Sequence, residues 1–238
     1  RSPPWEQDLV KSHPQALAAD EDVHIKIANL IDWKLRIFDV QEGRSFSDKQ
    51  IEGPFAYWTH RHSMQTINET SSLLVEKISF KLPILDSLFH DLVVNLKLKP
   101  LFRYRFRTIL SDLQMHYKYR ASQPKTILVT GSSGLVGSAL VDFLSSGGHR
   151  VVKLVRQPTN QADEIYWDPD KQEIDLAKME NFDAVVHLAG ENIAAKRWTV
   201  KQKERIKQSR VGGTGFLVKS LMKLANPPKV FVSASAIG

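Results

Sequence analysis

The pattern of apolar positions is clearest in the second half of the chain. Residues 126–130 form a short apolar run that predicts a buried strand, and apolar residues then recur at helical spacing from Val136 to Leu144. Gly147 ends this helix and residues 150–155 supply a second strand, which completes a β-α-β unit with parallel strands. The remaining predicted elements are two buried strands and the helix between them, at residues 182–189, 229–234 and 199–224.

The first half has a different pattern. Residues 55–64 and 72–82 contain β-branched and aromatic residues in extended patterns and predict antiparallel strands. Downstream of Pro100, one apolar stripe follows helical spacing, so we expect an amphipathic helix packed on these strands. The stripe consists of Phe102, Phe106, Ile109, Leu110 and Leu113. The polar, proline-containing stretch 119–125 then predicts a linker between two domains, residues 1–122 and 123–238.

Composition narrows the classes of protein to consider. Apolar residues make up 42% of the chain and charged residues 25%, as in packed globular proteins, and no apolar run is long enough to span a membrane. We therefore expect a soluble, cytoplasmic protein. The chain has no cysteine, which excludes disulfides, thiolate metal sites and a cysteine nucleophile.

The formal net charge of +7 raises the question of nucleic-acid binding. Most of the excess lies in residues 123–238, where a short helical stretch from Lys196 to Arg210 carries seven basic residues and one acidic residue. We interpret this stretch first as a solvated helix face, and second as a surface that attracts an anionic cofactor or substrate. We expect no nucleic-acid partner.

A glycine-rich turn between the first strand and helix of the second half carries the main functional signal. Its three glycines are spaced GxxGxxG: the first permits a sharp turn, the second lets backbone approach a pyrophosphate, and the third lets the helix pack closely. Phosphates would then meet the free amides of the helix N-terminus. This context predicts a Rossmann-type dinucleotide site. The predicted cofactor-binding residues of the turn are Gly131, Ser132, Ser133, Gly134, Leu135, Val136 and Gly137.

The end of the second strand distinguishes NADP from NAD. An acidic residue there would bind the free ribose 2′-hydroxyl of NAD, but the chain has no carboxylate between Asp142 and Asp163. Arg156 lies instead where a 2′-phosphate is expected. The sequence therefore predicts NADP rather than NAD, and the alternative is that Arg156 is a solvated surface residue.

Several segments of the second half resemble the extended short-chain dehydrogenase/reductase superfamily, in its sugar-nucleotide-epimerase-like subgroup. The resembling segments are residues 130–137, 167–169, 174–175, 187–193, 197–198, 209–211 and 233–238. The resemblance implies that Leu188, Ala189 and Gly190 line the cofactor. It also implies that Ser235 is the catalytic serine, with Ser233 as the second choice.

The chemistry of that family also needs a tyrosine followed four residues later by a lysine, which together exchange a proton as hydride moves to or from the nicotinamide. None of the five tyrosines here has a lysine at that spacing. The family continues beyond the position of Gly238 toward that tyrosine, so the resemblance implies a truncated polypeptide that lacks its catalytic portion. The resemblance implies an unknown small-molecule substrate.

The first half resembles the START/polyketide-cyclase-like helix-grip fold, which occurs fused ahead of this reductase subgroup. The resemblance rests on residues 53–55, 58–62, 75–83 and 102–105. It implies an α+β domain with an antiparallel sheet and a cavity for an apolar ligand. The alternative is that the apolar stripe of the helix simply fills the core.

His60 and His62 lie two residues apart on a predicted strand and therefore face the same side, where they could bind a metal. Because no carboxylate or third histidine partner can be identified, we interpret them as structural or surface residues and predict no metal site.

The predicted fold is thus an incomplete doubly wound α/β sheet behind an α+β helix-grip domain. The leading functional hypothesis is an NADP-binding epimerase or oxidoreductase. The rival is a non-enzymatic sensor of the redox cofactor, or a carrier of an apolar ligand.

Overall fold

The fold was analysed in a computed structural model that describes residues 9–12, 18–27, 30–84, 86–194 and 196–235. The chain forms two compact units, residues 1–111 and 112–238. This division falls inside a long helix, upstream of the predicted linker, and the domain boundary at residue 122 stays a prediction. No helix within the described residues is both long and apolar enough to cross a membrane.

The first unit contains a six-stranded antiparallel sheet in which each strand pairs with the next one along the chain. The strands are β1 (Leu9–Ser12), β2 (Asp22–Ile27), β3 (Ile31–Gln41), β4 (Ser45–Glu52), β5 (Tyr57–Asn68) and β6 (Ser71–Lys81). The two predicted strands correspond to β5 and β6, whereas β1 to β4 were not predicted. Among its described side chains, Leu35, Ile37 and Trp58 are the buried apolar ones.

A long helical segment follows the sheet. It begins earlier than predicted, and its apolar side chains are less buried than predicted. It consists of α1 (Asp86–Val93), a π-helical turn (Val94–Leu98) and α2 (Lys99–Lys118). Pro100 therefore lies inside the helix rather than at its start. Proline lacks an amide proton and its ring crowds the preceding turn, and the wider π turn lies directly before it, with the Lys99 amide donating to the Val94 carbonyl.

The apolar stripe of α2 is only partly covered, contrary to the prediction, although Phe102 and Ile109 are half-buried. No residue of α2 is buried, and Phe106, Leu110 and Leu113 are exposed. The apolar spacing correctly predicted a helix. Such spacing shows which side of the helix is apolar, but not that another element packs against that side.

The second unit is a six-stranded sheet in the order β10-β9-β8-β7-β11-β12, parallel except for the β9–β10 pair. Its strands are β7 (Thr126–Thr130), β8 (Arg150–Val155), β9 (Glu164–Asp168), β10 (Glu173–Ile174), β11 (Ala184–His187) and β12 (Val230–Ser233). The helices are α3 (Leu135–Ser146) and α4 (Val200–Leu221). The predicted β-α-β unit and the two later strands are confirmed, while β9 and β10 were missed.

Both faces of this sheet are covered. On one face, Leu217 and Leu221 of α4 pack against Leu128 and Val185. On the other face, side chains of α3 pack against the second row of strand residues; the contacting residues are Ile127, Val129, Val151, Val141 and Leu144. Because each central strand is buried on two sides, its sequence is a continuous apolar run. The predicted α/β class with a parallel sheet and a separate antiparallel sheet is confirmed.

Strand β9 contributes the largest buried side chain of the second unit. Trp167 is 2% exposed and packs with Met179 and Leu217. Trp167→Ala should lower the free energy of unfolding by about 3–5 kcal/mol, because it removes a large apolar surface and leaves a cavity. Denaturant titration followed by circular dichroism measures this, with Trp198→Ala as the control.

Trp198 is 57% exposed, so its replacement should cost no more than about 1 kcal/mol. Equal losses for the two tryptophan variants would contradict the burial of Trp167 in the core.

Candidate functional site

The candidate site lies where the strand order reverses direction. β7 pairs with β8 on one side and with β11 on the other, and all three strands are parallel. The carboxyl ends of these three strands therefore reach one edge of the sheet. From β8 the chain continues to β9 on one side of β7, and from β11 it continues to β12 on the other side. In open parallel sheets, ligands bind in the crevice at this point.

The first glycine of the turn is required by the backbone itself. Gly131 has φ of +67°, and a Cβ on it would lie 2.7–2.8 Å from the backbone of Leu188 and Ala189. The end of β7 thus directly approaches the segment that follows β11. Gly137 is required for a different reason, since a Cβ there would collide with the carbonyl oxygen of Gly131.

The middle glycine is not required by the fold in the same way. Gly134 is the N-cap of α3 with φ of −77° and ψ of 170°, a conformation open to any residue. A Cβ on it would meet only the Gly131 carbonyl oxygen, at 3.3 Å. The backbone therefore tolerates a side chain at Gly134 far better than at its two partners.

The N-terminus of α3 is open. No side chain caps it, and its first turn holds no acidic residue. Leu135 and Val136 are 77% and 65% exposed. The first amides of a helix lack intrahelical acceptors and carry partial positive charge, so this end can bind an anion.

A buried hydroxyl group ties the two strand ends together. The Thr130 hydroxyl accepts hydrogen bonds from the amides of Leu188 (3.1 Å) and Ala189 (3.0 Å). Thr130 is fully buried. Residues 188 and 189 are thereby held against Gly131 by hydrogen bonds to the Thr130 side chain, in addition to the backbone hydrogen bonds between β7 and β11.

The same hydroxyl determines the tautomer of His187. Because it accepts from two amides, its single proton goes to His187 Nδ1, at 2.8 Å. Nε2 then carries the ring proton and donates to the Thr214 hydroxyl of α4, at 3.0 Å. Burial lowers the pKa of His187, which keeps the ring neutral and suits this arrangement.

Helix α4 also holds the segment that follows β11. Ser209 accepts from the Glu191 amide at 2.9 Å, and the Arg210 guanidinium donates to the Glu191 carbonyl at 3.2 Å. The Gln202 side chain donates to the Glu191 carboxylate at 3.2 Å. This bond, together with the nearby charges of Arg205, Lys196 and Arg156, lowers the pKa of Glu191.

Arg156 lies directly after β8, beside the glycine turn, and its side chain is exposed. Its charge is one of those that lower the pKa of Glu191. Much of the basic stretch from Lys196 to Arg210 is solvated, as predicted, but Arg205 and Arg210 also contact the segment around Glu191.

Ser235 follows β12 and is exposed. The preceding residue, Ala234, donates its amide to the His187 carbonyl at 3.1 Å, so this segment leaves the sheet at the same edge. Ser233, the second choice, is the residue of β12 that pairs with His187. Residues 236–238 of the resembling segment lie outside the described residues.

The sequence-predicted residues thus gather at one edge: the turn from Gly131 to Gly137, Arg156, residues 188–190 and Ser235. Sequence reasoning missed the Thr130, His187 and Thr214 bonds. A polar residue at the end of each buried strand was the available signal, but the pairing of Thr130 with His187 depends on the β7–β11 register.

Removal of the Thr130 hydroxyl should destabilise the second unit. Thr130→Val removes the hydroxyl partner of the Ala189 amide and of the His187 ring and leaves the Leu188 amide only the Thr130 carbonyl at 3.3 Å, so we expect the free energy of unfolding to fall by roughly 1–3 kcal/mol. Thr126→Val in the same strand does not touch this network and should change it by less than about 1 kcal/mol. Thermal and denaturant unfolding distinguish the two, and similar losses would count against a structural role for the hydroxyl.

Comparisons with known proteins match the second unit to epimerase family proteins. Residues 127–237 match the model of the NAD dependent epimerase/dehydratase family. An epimerase family protein of Mycobacterium leprae is 34% identical over 119 residues, which cover 50% of this chain and 38% of the relative. The human epimerase family protein SDR39U1 is 34% identical over 113 residues, covering 47% and 36%. Its crystal structure, determined with NADPH, aligns with a TM-score of 0.41.

One solved structure aligns with both units. The nucleoside-diphosphate sugar epimerase from Corynebacterium glutamicum matches 99% of this chain and 48% of its own, with 26% identity and a TM-score of 0.76. The chain spans less than two fifths of the length of the curated relatives described above. The family-model match and these relatives support the assignment of residues 127–237 to the NAD dependent epimerase/dehydratase family.

Proposed function

We propose that the second unit binds NADP(H) at the carboxyl edge of its parallel sheet, as part of an epimerase or oxidoreductase of the extended short-chain dehydrogenase/reductase type. The observation that carries the proposal is Gly134. It is a glycine whose backbone conformation does not need glycine, at an uncapped helix N-terminus beside the point where the strand order reverses. A ligand that approaches the backbone explains the missing side chain.

The turn fits a pyrophosphate both sterically and electrostatically. Ser133 and Gly134 are exposed to an approaching ligand, and the amides at the start of α3 attract the charge of a phosphate. Leu188, Ala189 and Gly190 lie beside this turn and would line the rest of the dinucleotide. Bound there, the nicotinamide would supply the hydride donor or acceptor.

The preference for NADP rests on charge. Arg156 follows the strand next to the glycine turn, and no carboxylate occupies the positions that would bind a ribose hydroxyl. A guanidinium can bind a 2′-phosphate through two parallel hydrogen bonds.

For catalysis, we propose that Ser235 hydrogen-bonds the reacting oxygen of a substrate. Its hydroxyl is exposed at the edge where the cofactor would lie. Proton exchange in this family also uses a tyrosine and a lysine at a four-residue spacing, and this sequence contains no such pair. Cofactor binding is therefore the property to test on this chain, and turnover belongs to a polypeptide that supplies those residues.

For the first unit, we propose a helix-grip domain. A long helix follows an antiparallel sheet, and α2 contacts that sheet: the Phe102 ring lies 5.5 Å from that of His60, and Arg105 lies 3.6 Å from the Glu76 carboxylate. These contacts support a helix packed across one face of the sheet.

The proposal predicts that a single methyl group at Gly134 weakens cofactor binding without unfolding the protein. Gly134→Ala should lower the melting temperature only slightly, because its φ is allowed and its Cβ meets one atom, at 3.3 Å, and it should raise the Kd for NADPH at least about tenfold, or 1.4 kcal/mol. Fluorescence titration or calorimetry with NADPH measures the Kd.

Gly215→Ala in α4 is the matched control, since a Cβ there meets no atom within 4 Å. The control should bind NADPH like the wild type. The proposal fails if folded wild-type protein does not bind NADPH, or if Gly134→Ala binds it equally well.

A second prediction separates NADP from NAD. Arg156→Ala should raise the Kd for NADPH by about 10- to 100-fold, the loss expected for hydrogen bonds to a charged group, and should leave the Kd for NADH nearly unchanged. Arg150→Ala, at the amino end of the same strand, should change neither. Equal effects of Arg156→Ala on both cofactors would contradict a 2′-phosphate contact.

A further inference from the structure

Strand pairing in the first unit brings four titratable side chains onto one face of the sheet. In the antiparallel ladder Asp48 of β4 lies opposite His60 of β5, and Glu76 of β6 lies opposite His62. Directly opposed residues share a face, and so do residues two apart on one strand. The two histidine rings consequently lie 3.9 Å apart, with one carboxylate on each side of them.

Each histidine presents one ring nitrogen to Asp48. His62 Nε2 lies 3.3 Å and His60 Nδ1 lies 3.5 Å from the same oxygen, Asp48 Oδ2. The other oxygen of Asp48 accepts from the Trp58 indole at 3.1 Å, which fixes the orientation of the carboxylate. Asp48, His60 and His62 can thus offer one ligand atom each within 4.8 Å of one another.

The remaining ring nitrogens both face Glu76. His60 Nε2 lies 3.2 Å from one oxygen of this carboxylate, and His62 Nδ1 lies 3.3 Å from the other. A carboxylate that accepts from the outer nitrogen is the usual partner of a metal-binding histidine, because it fixes the ring and its tautomer.

The distances on the Asp48 side match the spacing of two ligands on one metal ion. Two ligands of a tetrahedral zinc ion, each about 2.0–2.1 Å from the metal, lie about 3.3–3.4 Å apart. The two nitrogen–oxygen distances to Asp48 Oδ2 are close to this value.

The surrounding charges favour a cation beside Asp48 rather than beside Glu76. Arg105 already places a positive charge 3.6 Å from Glu76. Within the described residues, no lysine or arginine forms an ion pair with Asp48. The side chains of Asp48, His60 and His62 are only 6–14% exposed, so a carboxylate here needs a compensating charge.

We propose that Asp48, His60 and His62 bind a divalent transition-metal ion of the zinc type, with Glu76 orienting both histidine rings. Two imidazole nitrogens and one carboxylate oxygen form a ligand set that zinc accepts, with the fourth position left for water or another ligand. The sequence prediction of no metal site rested on the missing carboxylate partner, which strand pairing supplies. The inference goes beyond the proposed dinucleotide function, since all four residues belong to the first unit.

Cobalt provides a direct probe, because Co²⁺ in a site of this kind absorbs visible light and Zn²⁺ displaces it. The tag-free full chain, stripped with a chelator, should develop this absorption and saturate at one equivalent of Co²⁺ per chain. One equivalent of Zn²⁺ should abolish it and raise the melting temperature of the wild-type protein, because the ion binds the folded state.

Three variants locate the site. Asp48→Asn keeps the acceptor for Trp58 but removes a charged ligand, and should weaken Co²⁺ binding by at least about 100-fold. Glu76→Gln removes only the orienting carboxylate and should weaken it by about 10- to 100-fold. His24→Asn is the matched control, because His24 pairs with Asp32 outside the cluster, and it should bind like the wild type.

The wild-type measurement decides the matter even if a variant fails to fold. Without saturable absorption and without a zinc-dependent rise in melting temperature, the cluster is a metal-free network of ion pairs and the proposal is overturned. Binding that survives in a folded Asp48→Asn protein, or that is lost in His24→Asn, overturns it as well. NADPH affinity is independent of these outcomes, so failure here does not bear on the dinucleotide proposal.

Discussion

At the end of β7, two stretches of backbone meet so closely that no side chain fits between them. Gly131 occupies this contact, against the backbone of Leu188 and Ala189. The Thr130 hydroxyl accepts from both of those amides and so keeps the two strand ends in register. The direction of the turn, the start of α3 and the open face of Gly134 all follow from this contact, because the chain must leave β7 through a left-handed residue before it can enter the helix.

The elements around this contact were the ones most accurately predicted from sequence. The runs at 126–130 and 150–155 coincide with β7 and β8, and Thr199 caps α4 at the predicted start of its helix. Strands buried on both faces have continuous apolar sequences, and glycines mark their ends, so pattern and structure agree. Burial constrains almost every position of these segments, which leaves few alternative readings.

Prediction failed where burial constrains only part of an element. β9 has the sequence Glu-Ile-Tyr-Trp-Asp, with two deeply buried side chains between polar ones, and β10 is two residues long. A pattern this short cannot be separated from a loop. In α2 the apolar stripe was visible but remains largely exposed, since helical periodicity records which side is apolar and not whether another element covers it.

Polar side chains come together in different ways in the two sheets. This difference determines how much of each candidate site can be predicted from the sequence. Parallel strands end at a common edge, so residues that follow successive apolar runs come together whatever the register. The glycine turn and Arg156 could be predicted from their order along the chain, and residues 188–190 from the family resemblance. Antiparallel strands collect side chains on a face, through opposed pairs. Spacing predicted that His60 and His62 share that face, but Asp48 and Glu76 join them only through the register of two hairpins, which the turns at residues 53–56 and 69–70 determine. A one-residue change in either turn would place a carboxylate on the opposite face, and the two histidines would lose the partner of one of their ring nitrogens.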